Sequence, residues 1–91
     1  GQLDSGLDEP TAAAHTLGEC LTDNVEWVRL NAAVALTRLG PAATAAVPAL
    51  MSALEDDAYY VRANAAHALD AIGTTQATRA LRTYRQGSSD Y

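Results

Sequence analysis

The sequence predicts an all-α fold, a right-handed α-solenoid of about two and a half stacked helical hairpins with about five helices. Three observations carry that reading. The first is an internal repeat: Leu21, Asp23, Val28, Arg29, Asn31, Ala32, Ala33, Ala35, Leu36 and Gly40 recur thirty-three positions later as Leu54, Asp56, Val61, Arg62, Asn64, Ala65, Ala66, Ala68, Leu69 and Gly73. Trp27 returns as Tyr60 and Leu39 as Ile72. The second is helical spacing of the apolar residues inside each copy, and the third is the glycine and proline punctuation between copies. A unit of this length cannot bury its apolar face alone, so neighbouring units stack and share one core.

The elements follow in order. Pro10 suits a first helical turn, and Asp8 and Glu9 sit where the positive end of the helix dipole favours carboxylates. A helix over about 9–22 then buries Ala13, Leu17 and Leu21. Asp23-Asn24 forms a turn, after which Val25, Val28, Ala32, Ala35, Leu36 and Leu39 make one apolar stripe. Gly40-Pro41 ends that helix and opens the next, over about 42–55, which carries Val47, Leu50, Met51 and Leu54. Pro48 inside it predicts a kink or a late start near Thr44, because proline removes a hydrogen bond and crowds the preceding turn. Asp56-Asp57 makes the second turn. A fourth helix over about 58–72 turns Val61, Ala65, Ala68, Leu69 and Ile72 inward, and Gly73 closes it. A last helix over about 75–86 presents Ala77, Ala80, Leu81 and Tyr84, with Arg79, Arg82 and Arg85 giving it the polar outer side of a cap. The organisation is therefore 1–8, disordered or carried over from cloning; 9–40, repeat one; 41–73, repeat two; 74–86, a terminal half-repeat; and 87–91, a flexible tail.

Composition narrows the function. Among 91 residues the net charge is −5 and the six basic residues are all arginine, which speaks against a phosphate-backbone binder and hence against nucleic acid as partner. Acids crowd one end, with Asp4, Asp8, Glu9, Glu19, Asp23 and Glu26 preceding the first arginine, while Arg79, Arg82 and Arg85 crowd the other. This asymmetry allows self-association through the solenoid ends. The single Cys20 excludes a disulfide framework and suits a half-buried packing thiol in a cytoplasmic protein. No apolar run approaches the roughly 20 residues of a membrane span, so no membrane role is expected. His15 and His67 lack the spaced co-ligands of a metal site, and no residues group as nucleophile, base and oxyanion donor. No cofactor, no metal and no enzymatic activity are expected.

Residues 23–40, with Val28-Arg29-Leu30-Asn31-Ala32-Ala33-Val34-Ala35-Leu36 and Leu39-Gly40, their second copy at 56–73, and the linker Pro41-Ala42-Ala43 with Ala46-Val47-Pro48-Ala49-Leu50, resemble the HEAT-like repeats. The subgroup includes the armadillo-like repeats of phycobilisome lyase subunits. The resemblance covers about 9–85 and implies that turn aspartates and helix arginines join in a ladder between repeats, which maps to Asp23, Arg29, Asp56 and Arg62. An acceptor at a helix start that also meets a guanidinium makes physical sense of the pairing. The resemblance further implies that the second helix of each repeat lines a concave surface.

Projected at 100° per residue, the side of those helices away from the core carries Trp27, Leu30, Val34 and Arg38 in one repeat and Tyr60, Ala63, His67 and Ala71 in the next. Exposed aromatic rings suit interface anchors. A protein or peptide partner is thus expected along Trp27, Leu30, Asn31, Val34, Tyr60, Asn64 and His67; alternatively Trp27 folds sideways and packs, and the asparagines bond neighbouring helices. Three functions fit: a protein-interaction scaffold, a fragment of a bilin lyase or other chromophore-handling subunit, and a structural segment that stacks on further repeats or on itself.

Overall fold

The computed structural model describes residues 8–88. Those residues form helices α1 (Glu9–Cys20), α2 (Glu26–Leu39), α3 (Val47–Ala53), α4 (Tyr59–Ile72) and α5 (Thr75–Ser88), with a 3₁₀ helix, Gly40–Ala46, between α2 and α3. No strand occurs among the described residues. The expected segment 1–8 falls outside them except for Asp8, which caps α1 by accepting a hydrogen bond from the Thr11 amide at 2.8 Å. Of the expected tail 87–91, Gly87 and Ser88 belong to α5, and 89–91 lie outside the described residues.

The helix order builds two hairpins and a half. In the first, α1 packs on α2 and on the 3₁₀ stretch; in the second, α3 packs on α4; α2 and α4 run side by side and form the largest contact between repeats. The half-repeat α5 covers α4 and α3 through Ala77 and Leu81, both buried. The principal extents, 54 × 30 × 17 Å, are those of a flat, elongated stack rather than a sphere.

One core runs the length of this stack. Leu36, Leu50, Leu69, Val47 and Val61 are its largest fully buried side chains, and alanines fill most of the rest. Small side chains let the helix backbones approach closely, and Gly18 of α1 lies at one such contact: a Cβ built there meets the Cβ of Ala49 at 3.5 Å and that of Ala46 at 3.7 Å. The inward register of α1 is one residue later than expected, with Ala14 and Gly18 buried and Ala13 exposed. The inward side of α2 is rotated likewise. Ala33 and Leu36 are fully buried, Val28, Ala35 and Leu39 are half-buried at its edges, and Val25 is 55% exposed. A packed helix centres its buried side on the neighbours it meets, and in a repeat stack α2 has three of them.

The connection between repeats differs from a single helix over 42–55. Gly40 has φ 58° and ψ −135°, a backbone state that side-chain-bearing residues avoid, and it turns the chain out of α2. Gly40 opens a seven-residue 3₁₀ helix that runs to Ala46, and Pro48 explains why no α-helix begins before Val47. Its ring would collide with the carbonyl four residues back in a continuous α-helix, so regular α geometry begins only at Val47, one residue before it, where a missing amide N–H costs nothing. The Thr44 hydroxyl donates to the Pro41 carbonyl at 2.8 Å and steadies the tight turn.

Residues Glu26–Ala53 also have a mean hydropathy of 1.3 over an 18-residue window, so by average composition this stretch reaches the level of a membrane span. The expectation that no run comes near that level is corrected here: alanine, valine and leucine dominate the stretch and carry its average to that level. The stretch bends at Gly40, and its inward sides are the core just described.

Candidate functional site

Two turns with the same hydrogen-bond pattern organise the molecule. In the first, the Asp23 carboxylate accepts the Val25 amide at 2.8 Å; in the second, the Asp56 carboxylate accepts the Ala58 amide at 2.9 Å. Val25 and Ala58 are the N-caps of α2 and α4 and bring no side-chain cap of their own, so each aspartate answers a helix-start amide from two residues upstream. An arginine one turn into each helix then reaches back. Arg29 Nη1 donates to the carbonyls of Asp23 at 2.9 Å and Asn24 at 3.4 Å, and Arg62 Nη1 donates to those of Asp56 at 2.8 Å and Asp57 at 3.1 Å.

Arg29 also joins the repeats. Its Nε donates to Asp56 Oδ2 at 2.8 Å and its Nη2 to Asp56 Oδ1 at 3.2 Å, a two-pronged pair whose side chains are only 17% and 11% exposed. Burial pushes the Asp56 carboxyl up, but the Ala58 amide, the Arg29 fork and the charges of Arg29 and Arg62 outweigh it and hold the group below the usual carboxylate range. The hydrogen bond to Asp56 raises the Arg29 guanidinium in turn. Among the described residues this is the one rung that crosses between repeats: the Asp23 carboxylate receives no guanidinium, and Arg62 bonds within its own turn.

Of the residues assigned to the partner-binding strip, the outward sides of α2 and α4 carry most. Trp27 is 66% exposed and Tyr60 is 64% exposed, so neither ring packs over the repeat boundary. Asn31 and His67 are exposed, Val34 is half-buried, and Leu30 turns partly inward against the core. Asn64 is half-buried and its Nδ2 donates to the Tyr60 carbonyl one turn back at 2.8 Å, so that amide serves its own helix. A shallow groove of about 480 Å³ between α2 and α4 collects Val34, Asn64 and His67 with Arg38 and Asp70.

Sequence reasoning missed Tyr59, which is 64% exposed and meets Tyr60 edge to face with ring centroids 5.3 Å apart. The Arg62 guanidinium lies 5.8 Å from the Tyr59 ring centre. The signal was present in the repeat alignment, because the position matching Tyr59 in the first copy holds Glu26, a residue type that stays in water. Among the described residues no three His, Cys, Asp or Glu side chains group to hold a metal ion. Cys20 is half-buried beside the core, and His15 faces Glu19 at 3.5 Å on the surface of α1. The arrangement offers rings, amides and carboxylates for contact.

No curated protein and no solved structure matches the chain. The sequence pattern described as HEAT repeats matches residues 14–91, which takes in both turns, the rung and all five helices after the first turn of α1. With its two hairpins stacked through α2 and α4 and joined by Arg29 and Asp56, the chain belongs to the HEAT repeat family.

Proposed function

We propose that this protein is a non-enzymatic interaction module that binds a protein or peptide along the outward side of α2 and α4. HEAT repeats generally serve as protein-interaction scaffolds. The observation that carries the assignment to this face is the exposure of three large aromatic rings, Trp27, Tyr59 and Tyr60, at the starts of two adjacent helices. Rings left in water forgo roughly 1.5–3 kcal/mol each of available burial, which a partner recovers. Few other side chains bring so much contact area for so little lost rotamer freedom. This is the face expected to line the concave side of the repeat stack, and cytoplasm is the proposed location.

The test is affinity capture from a lysate of the source organism with the natural chain and a Trp27→Ala, Tyr60→Ala double variant whose helicity is first established by circular dichroism. The proposal expects a protein, identified by mass spectrometry, that the natural chain retains and the variant loses. Equal retention by both would remove the aromatic side from the binding surface.

A further inference from the structure

We propose that the aromatic ends of α2 and α4 take a cationic segment of the partner, a stretch carrying lysine or arginine, with its charged side chains laid against the rings and paired to Glu26 and Asp57. This deepens the preceding reading and rests on it. Three observations carry it.

Ring chemistry is the first. A cation over a tyrosine or tryptophan face gains from the negative face of the ring, and the cluster already holds one such contact internally, with Arg62 placed 5.8 Å from the Tyr59 ring centre. Trp27 and Tyr60, at matching positions of the two repeats, present two further rings of the same kind to solvent.

Unanswered charge is the second. Glu26 adjoins Trp27 in α2 and Asp57 lies three residues before Tyr60; both are exposed, and neither is ion-paired among the described residues. Both lie close enough to Arg29 for their charges to act on it. The two arginines of this end are occupied, Arg29 by Asp56 and the carbonyls of Asp23 and Asn24, Arg62 by the carbonyls of Asp56 and Asp57. The next cation on this side, Arg38, is eleven residues along α2 from Trp27, about 16 Å at 1.5 Å per residue, and it shares its groove with Asp70.

The third concerns what an anion would find. Helix starts attract negative charge with about half a unit of positive charge each, yet the carboxylates of Asp23 and Asp56 already take the cap amides of α2 and α4, and Glu26 occupies the first turn of α2. An acidic partner would meet the exposed carboxylates of Asp23, Glu26 and Asp57 first.

Trp27 is the chain's single tryptophan, so its emission reads the site directly. Three peptides of equal length serve as probes, one alternating lysine with leucine, one glutamate with leucine and one serine with leucine, each titrated at low and at physiological salt. The lysine peptide is expected to change Trp27 emission, to bind more weakly as salt rises, and to lose roughly fivefold to tenfold in affinity against Glu26→Gln combined with Asp57→Asn. Glu26→Gln alone, which leaves the second turn untouched, is expected to give part of that loss. Equal binding of the glutamate or serine peptide, binding that leaves Trp27 emission unchanged, or an affinity indifferent to the carboxylate variants would overturn the inference. The two proposals separate cleanly: a partner still lost by the Trp27→Ala, Tyr60→Ala variant while the lysine peptide shows no preference defeats only the cationic ligand, whereas equal capture defeats the face itself.

Discussion

Arg29 makes more directional contacts than any other described side chain, binding the turn before it through Nη1 and the turn of the next repeat through Nε and Nη2. Removing it leaves the Asp56 carboxylate short of its main partner, so Arg29→Ala is expected to cost about 2 kcal/mol, which corresponds to a fall of about 10 °C in melting temperature for a domain of this size. Arg62→Ala should cost less without abolishing the fold, because its guanidinium serves one turn only; a larger loss for Arg62 than for Arg29 would contradict this ranking. The sign of the pH dependence follows from Asp56 and from Asp8, whose carboxyl the hydroxyl and amide of Thr11 lower. Both are depressed in the folded state, so their stabilisation is complete above the unfolded value of about 3.9 and drains away as pH falls through the folded values. Thermal melts should therefore hold steady from neutral pH down to about 5 and drop below about 4, and Asp56→Asn should flatten that acid limb. Gly18 offers the opposite change. Its added Cβ would sit at ordinary contact distance from Ala46 and Ala49, so Gly18→Ala should gain roughly 0.5–1 kcal/mol of helix propensity and raise the melting temperature. At this scale the sequence spoke clearly where a residue recurred, as the paired aspartates and arginines do, and weakly where burial depended on helix rotation. Ala13 and Ala14 are chemically identical, and only the packing of α1 on α2 and the 3₁₀ stretch decides which of them is covered.

Four helix boundaries were legible because each carries a chemical mark: Asp8 and Thr74 accept first-turn amides of α1 and α5, and Gly40 and Gly73 take positive φ at the ends of α2 and α4. Gly73 adopts the left-handed helical state at φ 71° and ψ 14°, which asparagine also tolerates, whereas Gly40 at ψ −135° lies where side chains are far rarer. Gly40→Ala is accordingly expected to cost about 1–3 kcal/mol by chemical denaturation, and Gly73→Asn less than about 1 kcal/mol; equal costs would mean that the first glycine imposes no special conformation. The 3₁₀ stretch was half legible. Pro48 announced that an α-helix could not run through it, but whether the chain would kink or start late depended on Gly40 and Pro41 having already set a tighter winding.

Thirty-three-residue periodicity made the architecture of the whole molecule readable before any contact was known, because two copies of one amphipathic unit have few ways to hide the same side. What periodicity could not assign was the outward side. Trp27 could have folded over the boundary or stood in water, and either outcome keeps the repeat. Its exposure, with that of Tyr59 and Tyr60, is a property of the assembled α2 and α4 pair. The charges follow the same division: carboxylates gather around the turns and the aromatic ends, while Arg79, Arg82 and Arg85 stand exposed on α5. Partners are proposed to engage the aromatic side of α2 and α4. The most direct measurement is amide hydrogen exchange of the chain with and without the protein it captures. Slowed exchange in the first halves of α2 and α4, with α1 and α5 unchanged, is the predicted result; protection confined to α1 or to α5, leaving the segments around Trp27 and Tyr60 as they were, would contradict it.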